Sequence, residues 1–384
     1  MIAKEVFRQF SNQGLKSLEI IRETAYSPHS SKFLKTWGIT GASSLIGRSS
    51  TYIRQQETEK KIPLPEIVGN KRAYNLQHIN KLRNHFKTRK SKQNSETSII
   101  CFSNFKGGAA KTTSSVNCAQ YFTLQGYKVL FIDCDSQASA TQIFGYIPDQ
   151  DIKEEETLLP LLISKTNSIE KVIKKTYWDG LDLIPANLAL YNAEFIIPTN
   201  IKNTANLNED YKFYNILANG LNEIKNKYDI IIMDCPPSMG MISINAIYAA
   251  NGIIIPTPSS MLDFTSTVQF FSMLDETFSK LPEKKLSFIK LMITKHDGRQ
   301  SSNAILNIIR QLYGDYVMLN IMYSSEVIKK ASANMQTIYE IDKYDGSKKT
   351  LERAMQYANQ LHEELENEIQ KSWGIEDTED QRDG

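Results

Sequence analysis

Apolar residues follow one another in two uninterrupted runs that are typical of buried strands. Residues 128–135 read KVLFIDCD and residues 228–237 read YDIIIMDCPP, while a shorter run covers residues 99–102. Strands covered on both faces of a parallel sheet have this continuous hydrophobic pattern. Further strands, with helical patterns between them, are predicted at residues 181–184, 252–256, 288–294 and 316–321. The chain is therefore predicted to be α/β, with a doubly wound, mostly parallel sheet.

The N-terminal residues have helical periodicity instead. Within residues 1–22, apolar side chains recur at helical spacing at Val6, Phe7, Phe10, Leu15, Leu18 and Ile21. This spacing predicts a helix that either packs on the rest of the chain or dimerises. The sequence leaves both alternatives open.

Residues 38–57 read GITGASSLIGRSSTYIRQQE and predict two short helices joined by a turn at Gly47. The second helix is expected to begin near Ser49 or Ser50. Apolar residues predicted to pack between the helices are Leu45, Ile46 and Ile53. Side chains predicted to face outward, where they can contact base edges or phosphates in a major groove, are Arg48, Ser50, Thr51, Arg54 and Gln55.

A hairpin and a further helix are predicted after Pro63 and Pro65, which end the second helix. The pair Gly69-Asn70 is typical of a tight turn. Lys71, Arg72 and Tyr74 would then form a basic wing, and Asn75 would cap a helix. The apolar residues of that helix are Leu76, Ile79, Leu82 and Phe86.

Charge is distributed unevenly although the chain of 384 residues has a net charge of only +2. Residues 1–98 contain 18 Lys and Arg against 7 Asp and Glu, whereas the remainder contains 27 against 36. A basic N-terminal part favours a polyanionic partner, and the predicted helix-turn-helix makes DNA the expected one.

The sequence predicts five consecutive segments along the chain. We predict an N-terminal helix in residues 1–36, a small all-α winged helix-turn-helix domain in 37–87 and a polar linker in 88–98, which reads TRKSKQNSETS. A nucleotide-binding α/β domain is predicted in residues 99–371, followed by an acidic disordered tail in 372–384.

Residues 106–113 read KGGAAKTT between a predicted strand and a predicted helix. Two glycines let a backbone turn tightly and direct N–H groups toward an anion at a helix N-terminus. Lys111 would supply a point charge for the β- and γ-phosphates, and the Thr112 hydroxyl would ligate Mg²⁺. The residues predicted to cradle a nucleotide are Lys106, Gly107, Gly108, Ala109, Ala110, Lys111, Thr112 and Thr113.

Carboxylates follow two of the predicted strands, at the edge of the sheet where ligands bind in doubly wound folds. Asp234 is expected to hold Mg²⁺ through a water, while Asp133 and Asp135 flank the γ-phosphate. Asp135 is the better placed to orient or deprotonate an attacking water.

These motifs resemble the ParA-type partition ATPases, from residue 99 to about residue 365. The resemblance implies that Lys106 reaches across a nucleotide-sandwich homodimer to the partner's phosphates, with ATP or ADP and Mg²⁺ as ligands. It also implies that Lys111 and Thr112 bind phosphate and metal, that Asp135 supports hydrolysis and that Asp234 is the Walker B aspartate. The N-terminal part is similar to the MerR-like winged helix-turn-helix of the larger plasmid ParA proteins.

Two positions depart from that family's pattern. Ala110 replaces a glycine before the main lysine, and Ser136 replaces a proline after the second acid. Alanine still offers its N–H to a phosphate, but a positive φ there would cost roughly 1 kcal/mol.

Other roles rest on the resemblance alone. Thr294 and Lys295, with Asp297 beside them, follow a strand end where the family often contacts adenine or ribose. Lys329, Lys330 and Arg353 are candidates for holding non-specific DNA in the closed dimer, which would make binding depend steeply on salt.

Several classes of protein are disfavoured. No apolar run approaches the roughly 18 residues of a membrane span, and the acidic C-terminal segment would be repelled by anionic lipid, so the membrane-cycling MinD-like branch is disfavoured. The four cysteines lack C-x-x-C spacing and are expected to be free core thiols. The protein is expected to be cytoplasmic and nucleoid-associated.

The predicted function is that of a plasmid or chromosome partition ATPase. It would bind non-specific nucleoid DNA with ATP, be stimulated by a ParB-like centromere-binding partner and repress its own operon by binding operator DNA. Two alternatives stay open: a nucleotide-regulated transcription repressor without a segregation role, and a relative of the nitrogenase iron protein. The second requires bridging cysteines in exposed loops.

Overall fold

The computed structural model describes residues 3–24, 32–204 and 212–375. Its strands form a hairpin and one larger sheet. In chain order they are β1 (Glu66–Val68), β2 (Lys71–Ala73), β3 (Ser98–Phe102), β4 (Val129–Asp133), β5 (Lys174–Lys175), β6 (Leu181–Ile184), β7 (Ile230–Asp234), β8 (Gly252–Pro258) and β9 (Phe288–Thr294).

The α-helices of the described residues alternate with these strands. They are α1 (Ala3–Thr24), α2 (Ile39–Ile46), α3 (Ser50–Thr58), α4 (Leu76–Phe86), α5 (Lys111–Gln125), α6 (Ser139–Ile143), α7 (Pro148–Asp151), α8 (Leu159–Leu162), α9 (Ala193–Thr204), α10 (Ile216–Leu221), α11 (Met241–Ala249), α12 (Met261–Ser279), α13 (Gln300–Tyr313), α14 (Glu326–Ala333) and α15 (Lys348–Ser372).

The larger sheet has the strand order β5-β6-β4-β7-β3-β8-β9. Every neighbouring pair is parallel except β5 with β6 at one edge. The mostly parallel α/β class is thus confirmed, as are the strands predicted at residues 99–102, 181–184, 252–256 and 288–294.

The strand predicted at residues 316–321 is wrong. A 3₁₀ turn covers Gly314–Tyr316, and Val317 makes only an isolated bridge to Leu291 of β9. The Met318 N–H still donates to the Leu291 carbonyl at 3.0 Å and the Met322 N–H to the Ile293 carbonyl at 2.9 Å. Between them the ladder is interrupted, because the Asn320 N–H donates to the Glu364 carboxylate at 2.7 Å. A side chain on α15 therefore takes the donor that a continuous ladder would need.

Side chains alternate between the two faces of the sheet and build one core on each. In β7, Ile231 and Met233 join a cluster with α11, while Ile230 and Ile232 join a cluster with α5 and α15. The apolar face of α15 lies in the second cluster through Ala358, Leu361, Leu365 and Ile369. This helix therefore packs on the sheet through its apolar face.

Residues 37–87, which we call the N-terminal module, contain the predicted order of elements. Gly47 (φ +73°) joins α2 to α3, and the β1–β2 hairpin precedes α4. The Ser49 hydroxyl caps α3 by accepting from the Tyr52 N–H at 3.2 Å, and the Asn75 side chain caps α4 by accepting from His78. The small core contains Ala42, Ile46, Ile53, Ile62, Tyr74, Ile79 and Leu82.

The chain termini are described in part. The predicted N-terminal helix forms as α1, with Phe7 and Phe10 exposed. At the other end Trp373 packs its ring 5.8 Å from that of Tyr127, while the remaining predicted tail, residues 376–384, lies outside the described residues. No helix in the described part of the chain is both long and apolar enough to cross a membrane.

Arg83 of α4 connects the N-terminal module to α5 through hydrogen bonds. It is 1% exposed, and its guanidinium donates to the carbonyl of Leu45 at 2.8 Å, to Asn80 at 2.9 Å and to the carbonyl of Leu124. Asn80 in turn donates to the Asp179 carboxylate at 2.8 Å. Burial lowers the pKa of Arg83 to about 10, with the charge of Arg89 contributing, but the side chain stays cationic at neutral pH.

The predicted linker lies against the sheet domain. Arg89 donates to the Gly126 carbonyl at 2.8 Å, Lys90 pairs with Glu366 at 2.6 Å, and the backbone N–H of Lys92 donates to Asp229. Residues 88–97 form neither helix nor strand, yet successive contacts fix their path.

We expect Arg83→Met to lower the free energy of unfolding by about 2–4 kcal/mol, because the variant removes the donors to the buried Leu124 carbonyl and the partly buried Leu45 carbonyl. Urea titration followed by far-UV circular dichroism measures this loss. Arg54→Met, at an exposed position of the same module, is the matched control and should stay within about 0.5 kcal/mol of the parent. Equal behaviour of the two variants would contradict the assigned role of Arg83.

His362 predicts a pH dependence of stability. It is fully buried with Nδ1 2.8 Å from the Tyr339 hydroxyl, and burial lowers its pKa to about 3. The unfolded chain takes up this proton at the ordinary pKa of about 6.5, so the contribution is complete above that pH and is lost progressively as pH falls toward 3.

The stability difference between the parent and His362→Phe should therefore shift against the parent by about 1.4 kcal/mol per pH unit below pH 6. Urea unfolding at pH 7.5, 6.0 and 5.0 measures it. His85→Phe, at an exposed histidine, is the matched control for the loss of one imidazole. A pH-independent difference for His362→Phe would show that burial does not suppress its protonation.

Candidate functional site

The candidate site lies in the loop between β3 and α5. Gly108 (φ +75°) and Ala110 (φ +69°) both have left-handed backbones, and Ala110 is the N-cap residue of α5. The conformation expected to be strained at Ala110 is thus the one adopted. It directs the loop into the start of α5, where free N–H groups attract an anion.

Asn104 holds this loop in shape and was missed by the sequence analysis. It is 1% exposed, donates to the Pro256 carbonyl at 2.7 Å and accepts from the Lys106 N–H at 3.0 Å. One amide side chain therefore links the loop to the end of β8. The available signal was an asparagine two residues after a buried strand, a residue type that favours an Asx turn.

The two lysines of the loop have different environments. Lys111 is 6% exposed and its Nζ donates to the Lys106 carbonyl at 3.1 Å. Burial lowers the pKa of Lys111, and the carboxyl of Asp234 opposes that shift. The Lys106 side chain is 40% exposed, with its Nζ 3.9 Å from the Asp263 carboxylate at the start of α12.

Asp234, at the end of β7, has a buried carboxyl group. Within the described residues neither of its oxygens has a hydrogen-bond partner. Burial raises the pKa of Asp234 well above its ordinary value, the charge of Asp133 adds to the shift, and Thr112 and Lys111 oppose it. A buried acid without a donor, beside a threonine hydroxyl, fits the water-rich oxygen shell of Mg²⁺.

Asp133 is not available to flank a phosphate, contrary to expectation. Its carboxylate accepts from the Thr141 N–H at 2.9 Å, the Thr141 hydroxyl at 2.7 Å and the Asp135 N–H at 3.1 Å. Burial raises its pKa to about 7, against the effect of these donors. Asp133 instead fixes α6 and the backbone of its neighbour.

The Asp135 side chain, just after the end of β4, is half-buried. Its Oδ1 accepts from the Gln137 N–H at 2.9 Å, which orders the turn after β4. Of the two acids predicted beside the γ-phosphate, Asp135 is the one whose carboxylate remains partly accessible.

Thr294 and Lys295 lie beside the same loop. The Thr294 hydroxyl is buried and donates to the Ala109 carbonyl at 3.0 Å, so it supports the loop and is not exposed toward an adenine or ribose. Lys295 has φ +53°, and its Nζ lies 3.9 Å from where a Cβ on Gly108 would stand.

Three of the cysteines, Cys101, Cys134 and Cys235, lie in the same core beside Asp234, and Cys118 lies in the core on the other face of the sheet. All four are free and buried, and the Sγ atoms of Cys101 and Cys235 are 3.2 Å apart. The expectation of free core thiols is confirmed. The iron-protein alternative fails, because none of these sulfurs reaches an exposed loop where a cluster could be bridged.

The residues expected to contact DNA lie in two separate places. In the N-terminal module Thr51, Arg54 and Lys71 are exposed. Arg48 donates to the Gly47 and Phe86 carbonyls, Ser50 donates to Ser43, and Arg72 pairs with the buried Glu57 at 3.0 Å.

Near the C-terminus, Lys329 pairs with Glu326 at 2.8 Å and Lys330 with Asp345 at 3.1 Å, both at the surface. Arg353 is exposed on α15. These pairs lie within single elements or between neighbouring ones, and they are of the exposed kind that contributes little to stability.

Comparison with known proteins gives consistent relationships. Residues 97–288 match a family model described as an AAA domain. Protein SopA of Escherichia coli strain K12 is 31% identical over 349 residues, which cover 88% of this chain and 89% of SopA.

Two solved structures have related folds. A structure titled "Partition Protein" superposes with a TM-score of 0.68 at 18% identity, covering 96% of this chain and 99% of that one. Cobyrinic acid a,c-diamide synthase from Mycobacterium smegmatis, solved with an ATP analog and magnesium, has a TM-score of 0.51 at 25% identity and covers 64% and 91%.

We expect Ala110→Gly to raise the free energy of unfolding by up to about 1 kcal/mol, because glycine removes the left-handed strain. Nucleotide affinity should be retained, since the N–H is unchanged. Ala304→Gly, at an exposed helical position in α13, should instead lower stability by about 0.5–1 kcal/mol. Urea unfolding measures both, and a destabilised Ala110→Gly would contradict strain at this residue.

Proposed function

This chain belongs to the ParA/SopA family of partition ATPases, and from that membership we propose that it segregates DNA copies by ATP-controlled binding to DNA. It is an ATP hydrolase that uses ATP and Mg²⁺. In our proposal ATP closes two subunits into a dimer, the dimer binds nucleoid DNA, and hydrolysis stimulated by a ParB-like partner releases it.

The residues of the site fit these ligands. Backbone N–H groups of the loop and the Lys111 ammonium would bind phosphate, while Thr112 and Asp234 would hold the metal. When bound, Mg²⁺ neutralises charge on the β- and γ-phosphate oxygens. Asp135 would orient the attacking water, because it is the partly accessible acid beside the loop.

The position of Lys106 is the observation that carries the dimer proposal. The Lys106 side chain is 40% exposed, and its Nζ lies 3.9 Å from a carboxylate oxygen of Asp263. This is a long distance for an ion pair. A half-exposed ion pair of this length costs little to break. Lys106 is therefore free to exchange Asp263 for a phosphate bound to a second subunit.

Operator binding is proposed for the N-terminal module. Its helix, turn, helix and hairpin order, its excess of cations and the exposed Thr51, Arg54 and Lys71 support this role. Arg72 would have to leave Glu57 to contact a phosphate. Autorepression follows if the operator lies before this chain's own gene.

The test is binding of the purified full chain to an unrelated DNA duplex with ATP, ADP and no nucleotide. We expect binding with ATP alone, steep weakening as salt is raised, and at least a tenfold loss in Lys106→Ala. Lys285→Ala, at an exposed lysine before β9 and thus at the opposite end of the sheet from the loop, is the control for loss of one charge.

The outcomes separate the two remaining functions. Binding that needs ATP and fails only in Lys106→Ala supports the partition dimer. Binding that is the same in all nucleotide states would instead favour a transcription repressor whose nucleotide site has no role in segregation.

A further inference from the structure

Lys295 is a non-glycine residue with a left-handed backbone directly after β9. Its φ of +53° costs roughly 1 kcal/mol for a lysine, and such strain is found where a side chain has to be aimed. The residue before it, Thr294, is buried and bonded to the Ala109 carbonyl. The backbone at Lys295 is therefore held next to the phosphate loop by its neighbour Thr294.

The ammonium of Lys295 is directed at the loop. Its Nζ lies 3.9 Å from the position of a Cβ on Gly108, which is the left-handed glycine of the loop. In the described part of the chain no carboxylate lies within 4.0 Å of this ammonium, whereas Lys106 has Asp263. Lys111 in turn donates to the Lys106 carbonyl. Of the three lysines around the loop, Lys295 is the one whose ammonium has no partner among the residues that the structure describes.

We propose that Lys295 binds a phosphate group of the nucleotide, as a third lysine of the phosphate site, and does not contact adenine or ribose. This inference rests on the proposed function, since it requires a nucleotide whose phosphates occupy the loop. The ammonium lies 3.9 Å from the Cβ position of Gly108, within the loop whose N–H groups would bind phosphate, and a lysine is suited to this role as a mobile point charge.

The energetics favour the same assignment. Thr294 fixes where the side chain begins, so binding restricts only the rotamers of one lysine. A charge-assisted hydrogen bond to phosphate is among the stronger polar contacts. Lys295 would also offset the charge that a triphosphate brings close to the buried Asp234 carboxyl.

Equilibrium binding of ATPγS and GTPγS to the full chain, each with Mg²⁺, tests the proposal. Lys295→Asn removes the charge while keeping a residue that tolerates a positive φ, so the backbone of the loop is preserved. We expect both nucleotides to bind about tenfold more weakly, because they share the triphosphate. Lys295→Arg should recover most of the affinity, and Lys285→Ala should match the parent.

Three results would overturn the inference. Unchanged affinity for both nucleotides in Lys295→Asn would mean that the ammonium binds no part of them. A loss confined to ATPγS would mean that Lys295 contacts the base, and a loss in both nucleotides that spares inorganic tripolyphosphate, which has neither base nor sugar, would mean that it contacts the ribose. Failure of the proposed function is a separate result, because the parent itself would then bind neither nucleotide; ADP added as a third ligand reports whether the lost contact is to the γ-phosphate or to the β-phosphate.

Discussion

The parallel register of β3, β7 and β4 is the constraint on which the candidate site depends. Phe102 pairs with Asp234, and Asp234 pairs with Asp133, so the three strands end level with one another. The ladder continues one residue further through Cys235 N–H to the Phe102 carbonyl and Cys134 N–H to the Asp234 carbonyl. A shift of this register would separate the loop after β3 from the acids after β4 and β7.

Placing these groups together leaves a site that is unfavourable without a ligand. Lys111 and Asp234 are both withdrawn from water, and in the described residues neither Asp234 oxygen has a donor. Burial lowers the pKa of Lys111 and raises that of Asp234, so it favours the neutral form of both groups. A metal ion and a polyphosphate supply the missing opposite charges, so ligand binding both fills the site and stabilises the folded chain.

Local patterns predicted much of this architecture, because continuous apolar runs, a glycine pair and strand-terminal acids are properties of neighbouring residues. They failed where distant residues compete for the same atoms. Glu364 takes the Asn320 amide that a continuous strand at residues 316–321 would need, and Thr141 donates to the Asp133 carboxylate. The Thr294 hydroxyl similarly meets the Ala109 carbonyl, a contact that no spacing in the sequence reveals. In the sequence, Arg83 was only one of many positive charges of the N-terminal part. In the fold it is buried and links the N-terminal module to α5 through hydrogen bonds.

The hydrogen bonds of Arg83 mean that α5 contacts the candidate phosphate site at one end and the N-terminal module at the other. Its N-terminus begins at Lys111 in the phosphate loop, and its last turn receives the Arg83 guanidinium at the Leu124 carbonyl, with Arg89 on the carbonyl of Gly126 just beyond. Cations at the C-terminal end and an anion at the N-terminal end both complement the helix dipole. The N-terminal module is thus bonded to the far end of the helix that would hold the phosphates. A rotation or shift of α5 on nucleotide binding would have to break these bonds or carry the module with it, so the packing supplies a physical connection between the two ends.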